Sequence, residues 1–234
     1  MQRRGLMLAG TGMLAGALAG GRRDARAAGP VVLELFTSQG CSSCPPADRL
    51  LGELARDPAV VALAWHVDYW NGLGWHDPFS SKLATERQRA YAGQLGEEVY
   101  TPAMVIGGAR IVVGSDPGAV RGAILTTPAP AVPVAIATDG DALAAEIGGA
   151  GRPVTALAAF YEPEHLTDVA RGENGGRQLR EYRIVRAAVP LGAWDGAGRR
   201  LTLPPLPPGL GATVLVQGAD LRVLGAANLP PRTS

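Results

Sequence analysis

The two cysteines of the chain, Cys41 and Cys44, are separated only by Ser42 and Ser43. A pair at this spacing can close a small disulfide, supply part of a metal site, or cycle between dithiol and disulfide. In exchange chemistry the attacking species is a thiolate, so one cysteine needs a lowered pKa. A helix N-terminus provides this through unpaired N–H groups and the positive end of its dipole. Chain order makes Cys41 the expected exposed nucleophile and Cys44 the more buried resolving partner. Ser42 and Ser43 are small and can donate hydrogen bonds to a sulfur anion. Pro45 and Pro46 follow directly, and a proline disfavours helical angles in the residue before it. The helix is therefore expected to begin at the prolines, with both cysteines in the preceding turn.

Further residues have types suited to the same chemistry. Glu34 sits inside the apolar run Val31–Phe36, where a buried carboxyl is costly without a partner or a task. It can serve as the base that takes the proton from Cys44, or lie on the solvent side of an edge. Thr101-Pro102 precedes another apolar run; only about 5–6% of X-Pro bonds in folded proteins are cis. Trp65, Tyr69, Trp70 and Trp75 crowd into one short segment. With Asp68 as a polar contact, that segment can wall a substrate groove, or it can pack on its own tryptophans. Cys41 and Cys44 with His66 or His76 could hold copper. A four-ligand zinc site is disfavoured, because the only other histidine, His165, is remote in sequence.

The elements that position these residues follow from hydrophobic period. Val31–Phe36 reads as a buried strand, Asp48–Ala55 as a helix, and Val60–Val67 as a second strand. Asp77-Pro78 reads as an N-cap and first-turn proline of a helix running to about Leu95. Met104–Ile106 and Ile111–Val113 form a hairpin around Gly107-Gly108. Asp116-Pro117 opens a last helix ending near Leu125. The order β-α-β-α-β-β-α is that of a thioredoxin-like fold, and in that frame Pro102 is expected to be cis and to shape the groove beside the cysteines.

A Pro- and Ala-rich stretch, 126–133, then changes the pattern. Candidate strands follow at Val134–Ala137, Ala142–Ile147, Val154–Tyr161, Leu179–Val189, Arg200–Leu203, Thr213–Gln217 and Leu221–Ala226. Many short strands broken by Gly, Asp and Pro predict a sandwich. The prediction is thus an α/β thioredoxin-like N-terminal domain over residues 30–126, followed by a β-rich, sandwich-like C-terminal domain over 134–230. That second half carries no cysteine or phosphate loop, and is expected to be structural or partner-binding.

Composition sets the partners. A formal net charge of +1 and the absence of a basic cluster argue against nucleic acid. Arg3 and Arg4, an apolar Leu6–Gly20 stretch and Ala25-Arg26-Ala27 read as a signal peptide over residues 1–27. The mature chain is then periplasmic or secreted, with no membrane span, in a compartment where free thiols tend to oxidise.

The runs Glu34–Asp48, His66–Trp70, Leu73–Phe79, Arg87–Tyr91 and Val99–Pro102 resemble the domain-of-unknown-function 1223 family. The likeness extends from about Val31 to the region of Trp194, and the turn Asn174–Leu179 fits its second half. It implies an exported protein with a thioredoxin-like first part and a β-rich second part. The chain departs from the family pattern at Ala103, where a Gln is usual, and at Ile106-Gly107-Gly108, where the family has a Val-Asn-Gly turn.

The expected function is an exported thiol–disulfide oxidoreductase acting on protein thiols or disulfides. Cys41 attacks, Cys44 resolves, Pro102 shapes the groove and Glu34 moves the proton. Ser42, Ser43, Asp68, Tyr69, Trp70, Trp75 and Thr101 contact substrate. No cofactor beyond the Cys41–Cys44 disulfide is expected. The competing readings are a non-catalytic periplasmic binding protein with a structural Cys41–Cys44 disulfide, and a copper-binding chaperone.

Overall fold

The computed structural model describes residues 29–139 and 142–231; the expected signal peptide lies outside them. Strand β1 (Val31–Thr37) is apolar on both faces and is buried along almost its whole length. Helix α1 (Pro45–Leu54) opens on two prolines, which supply a fixed φ where the N–H needs no partner. Its Ala47, Leu50, Leu51 and Leu54 are buried. Cys44 is the N-cap and keeps helical angles, φ −78° and ψ −37°, although a proline follows. Three bonds hold it there: Cys44 N–H donates to the Cys41 carbonyl at 3.2 Å, and Ala47 and Asp48 N–H donate to the Cys44 carbonyl at 2.8 and 3.1 Å.

Strand β2 (Val60–His66) runs parallel to β1, in register from Val31↔Val60 to Thr37↔His66. Helix α2 (Lys82–Leu95) begins later than expected, because Ser81 caps it by accepting from Ala84 N–H at 3.1 Å. Asp77 instead closes an Asx turn on Phe79 N–H at 2.9 Å. Strands β3 (Ala103–Ile106) and β4 (Arg110–Val113) form the expected hairpin. Gly107 and Gly108 turn it at φ 60° and 66°, a region that suits glycine. Helix α3 (Pro117–Thr126) is capped by Asp116, which accepts from Ala119 N–H at 2.9 Å.

The rest of the chain is strand: β5 (Val134–Asp139), β6 (Ala142–Ile147), β7 (Val154–Val169), β8 (Arg177–Trp194), β9 (Arg199–Leu203), β10 (Gly211–Gln217) and β11 (Val223–Leu229). Here the structure overturns the expected fold class. The described residues form one mixed sheet of eight strands, β11-β10-β7-β8-β2-β1-β3-β4, and a three-stranded sheet, β5-β6-β9. Strand β8 lies parallel to β2 through Ala64↔Ile184, at the edge where a thioredoxin-like sheet would end. The molecule is therefore mostly β, with three helices among the described residues, and not an α/β thioredoxin-like domain joined to a separate sandwich. Period-2 alternation identifies strands but not their partners, so the pairing of β8 with β2 left no local mark.

The packing shows the same continuity. Val32 and Phe36 of β1 share a core with Trp65, Tyr91, Ala159, Tyr161 and Leu215. Leu33 and Leu35, on the other face, pack against Leu50, Leu51 and Leu54 of α1 and Val120 of α3. Under the small sheet, Leu143, Ala145 and Ile147 meet Ala158, Phe160, Val214 and Val216. No helix among the described residues is long and apolar enough to cross a membrane.

Helix α1 also rests on β8, and Gly52 marks the contact. A Cβ added there would sit 2.4 Å from Cδ2 of the Tyr182 ring. Gly52→Ala should therefore destabilise by about 1–3 kcal/mol through overpacking, rather than gain the ~1 kcal/mol that alanine brings to a helix interior. Urea unfolding measures the difference. A variant more stable than the parent would mean that β8 does not lie against α1.

Candidate redox site

Cys41 and Cys44 are joined in a disulfide, with Cα atoms 5.4 Å apart, at the start of α1. Both cysteines are fully buried, so the expectation of an exposed Cys41 is not met. Ser42 and Ser43, between them, are exposed. The Ser43 hydroxyl lies 3.3 Å from the Cys41 sulfur, and Ser42 N–H donates to the Glu173 carboxylate at 3.0 Å. Asn174 clamps the loop from the β7–β8 turn, donating to the carbonyls of Gln39 and Cys41 at 2.9 Å each. The second half of the chain thus helps to build the cysteine turn.

Thr101-Pro102 is cis and Pro102 is buried. Its Cβ and the Cβ of Ala47 in α1 both lie 3.3 Å from where a Cβ on Gly114 would fall, which places Pro102 beside the first turn of α1. Trp70 donates from its indole N–H to the Thr101 hydroxyl at 2.9 Å. Its own Cβ is 3.1 Å from where a Cβ on Gly40 would fall. Trp75 donates to the Gln39 side chain at 2.8 Å. Trp70, Trp75, Thr101 and Pro102 therefore surround the cysteine turn.

Other predicted residues are committed elsewhere. Asp68 accepts from the Thr85 hydroxyl at 2.6 Å, and Tyr69 donates to Gln88 at 3.2 Å, both on α2. Glu34 shares the β1 face of Val32 and Phe36, opposite the face that carries α1. There Arg87 grips it with two donors at 2.6 and 2.9 Å, and the Tyr91 hydroxyl donates at 2.5 Å. Burial opposes the charge on Arg87, but Glu34 outweighs it and holds the guanidinium pKa above its usual value. A carboxylate saturated in this way does not serve the cysteines.

The acidic groups that do lie beside the cysteine turn went unread in the sequence. Asp48, one turn along α1 from Cys44, is buried with Asp77, Glu181 and His66. Thr37 donates to Asp48 Oδ2 at 3.2 Å, His66 Nδ1 pairs with Asp77 Oδ2 at 2.7 Å, and His66 Nε2 stands 3.9 Å from Glu181 Oε1. Gln39 ties the group to the loop, its backbone N–H donating to Asp77 at 2.9 Å and its side chain to Glu181 at 2.7 Å. Asp48 Oδ1 and His66 Nε2 are buried without a hydrogen-bond partner. The i, i+4 spacing of Cys44 and Asp48 is the one signal that could have revealed Asp48. Glu181 becomes a neighbour only because β8 pairs with β2.

Three carboxyls around one imidazole cannot all ionise cheaply. Burial, then the Glu181 charge, pushes Asp48 up to about 7. Glu181 is also raised, chiefly by burial. Burial works against a charged His66, but Asp77, Glu181 and Asp48 outweigh it and lift the imidazole to about 9. Burial would raise Asp77 too, yet His66 and two backbone N–H groups hold it below the usual carboxylate value. Among the described residues no three His, Cys, Asp or Glu side chains are arranged to hold a metal ion.

The His66 shift has a consequence for stability. The folded pKa of about 9 stands above the usual 6.5, so the contribution is complete below pH 6.5 and is lost as pH rises through 9. By linkage it amounts to about 3 kcal/mol. Unfolding free energies between pH 7 and 9 should fall for the parent and stay flatter in His66→Gln. Equal slopes would contradict a protonated His66.

The family described as "Protein of unknown function (DUF1223)" matches residues 32–217. No curated protein matches the chain. A crystal structure of a protein from Agrobacterium tumefaciens is similar at 32% identity and TM-score 0.78, covering 90% of this chain and 98% of that one. HBP35 of Porphyromonas gingivalis is similar at 16% identity and TM-score 0.57, over 88% of this chain and 78% of its own, a likeness of fold alone.

Proposed function

The chain belongs to the DUF1223 family, and from that premise we propose that it is an exported thiol–disulfide oxidoreductase working through Cys41 and Cys44. The carrying observation is the bonded pair at the first turn of α1, walled by Trp70, Thr101 and Pro102. Pro45 and Pro46 have no N–H, so the helix lends its dipole while the Ser43 hydroxyl supplies the hydrogen bond to sulfur. The partners are protein dithiols and disulfides in the periplasm, reached by export on the N-terminal segment.

Exchange proceeds by attack of a substrate thiolate on Cys41 sulfur. The Cys41–Cys44 bond breaks, its electron pair leaves on Cys44, and that sulfur takes up a proton. A second substrate thiol loses its proton and attacks the substrate sulfur of the mixed disulfide, releasing Cys41 as a thiolate. The substrate dithiol is oxidised to a disulfide and the protein pair is reduced. Reduction of a substrate runs the same steps backwards. Both cysteines are buried, so attack on Cys41 requires the exposed Ser42–Ser43 turn to move; the Ser42 N–H to Glu173 bond at its surface is of modest strength.

The test is to incubate the oxidised protein with a reduced dithiol peptide and trap free thiols with time. The expected result is peptide disulfide formed in step with protein thiols. Unchanged peptide and protein would overturn the reading. Burial of both cysteines favours one competitor, a binding protein whose disulfide only pins the turn. In that case the pair resists reduction, and a double Cys-to-Ser variant keeps the fold and the partner.

A further inference from the structure

We infer that the carboxyl of Asp48 gives Cys44 sulfur its proton when the disulfide opens and takes it back when the disulfide closes. The inference deepens the exchange reading above and rests on it. Asp48 and Cys44 occupy the same face of α1 one turn apart, and Asp48 N–H donates to the Cys44 carbonyl at 3.1 Å. One carboxyl oxygen is held by Thr37, while Oδ1 is buried and unpartnered. An unpaired buried acceptor is costly, and none of the bonds that build the fold uses this one. A protonated carboxyl can turn that oxygen into a donor.

The groups facing Asp48 fit the role. From β1 comes the Thr37 hydroxyl, from β2 the His66 imidazole, from the loop before α2 Asp77, and from β8 Glu181, with Tyr182 packed on Gly52 further along α1. The neighbouring charged residues of α1 itself, Arg49 and Glu53, are exposed. When the disulfide opens, the electron pair of the S–S bond goes to Cys44 and the Asp48 proton follows it. The carboxylate left behind lies near the His66 imidazolium, which Asp77 holds at 2.7 Å. On closing, the Cys44 thiol returns its proton to Asp48 as sulfur attacks Cys41. Asp48 thus exchanges the proton, and His66 is a positioning residue that stabilises its ionised form. A value near neutrality for Asp48 lets it act in both directions.

The test is the pH profile of exchange between the full-length protein and a dithiol peptide. The parent profile should bend near pH 7, the value at which Asp48 titrates. Asp48→Asn should lose the bend and slow exchange about 100-fold at neutral pH, while Asp48→Glu restores part of the rate. His66→Gln, which removes the opposing cation, should move the bend to higher pH, a displacement that a merely structural role would not produce. Melting of Asp48→Asn at pH 8 checks its fold, and it should be at least as stable as the parent. An Asp48→Asn rate within about twofold of the parent, or a bend unmoved in His66→Gln, overturns the assignment. Failure of the parent itself to exchange overturns the exchange reading and this inference together, so the two failures are distinguishable.

Discussion

Replacing Cys41 by serine is expected to abolish exchange with a dithiol peptide, a fall of at least about 1,000-fold, on the scale seen when a nucleophile is removed. Cys44→Ser should differ in kind. Given the oxidised, disulfide form of the peptide, the variant's Cys41 thiolate can still attack one peptide sulfur, the other leaving as a thiol. The mixed disulfide then has no Cys44 to resolve it. Intact-mass measurement should therefore find the peptide bound to Cys44→Ser and absent from Cys41→Ser. Both variants should remain folded, because the loop closed by the disulfide is short and its entropic contribution is only about 2 kcal/mol. Asn174, bonded to the carbonyls of Gln39 and Cys41, continues to hold the turn without the sulfur bond. Equal adduct formation by the two variants would contradict the assignment of roles.

Arg87→Met is expected to be the most destabilising single change outside the apolar core. Glu34 is fully buried and depends on Arg87 for two of its hydrogen bonds. Removing the cation leaves a buried carboxylate with Tyr91 alone, a loss of about 3–5 kcal/mol by analogy with broken buried ion pairs. The guanidinium also lies 5.1 Å from the ring centres of Trp65 and Tyr91, so packing is lost with the charge. Exchange per folded molecule should be unchanged, since Glu34 faces α2 and the cysteines begin α1. Urea unfolding and the peptide assay together check this. A cost below about 1 kcal/mol, or a matching loss of exchange, would return Glu34 to the redox site.

What the sequence could reveal divides along physical lines. The run Val31–Phe36, the β3–β4 hairpin at Gly107-Gly108 and the Asp116-Pro117 helix start could be read because each signal is local. Family membership could be read too, from long runs around the cysteines. Asp77 was misread because an Asx turn and an N-cap use the same residue types; its partners, His66 and Gln39, are set by tertiary structure. The fold class failed at one pairing, β8 with β2, which is separated by more than a hundred residues. Glu34 and Asp48 show the same limit within the site. A carboxyl inside an apolar strand looked like the reactive one, while Asp48, at the start of the expected helix, was given no role. Only the faces of β1 and α1 tell which of them lies beside the sulfur.

The central claim is that the Cys41–Cys44 pair cycles, and a glutathione redox titration with thiol trapping measures this most directly. The account predicts a potential between about −120 and −270 mV, the range of known exchange catalysts. A potential below roughly −300 mV with sluggish exchange would contradict it and mark the bond as a structural pin of the turn before α1.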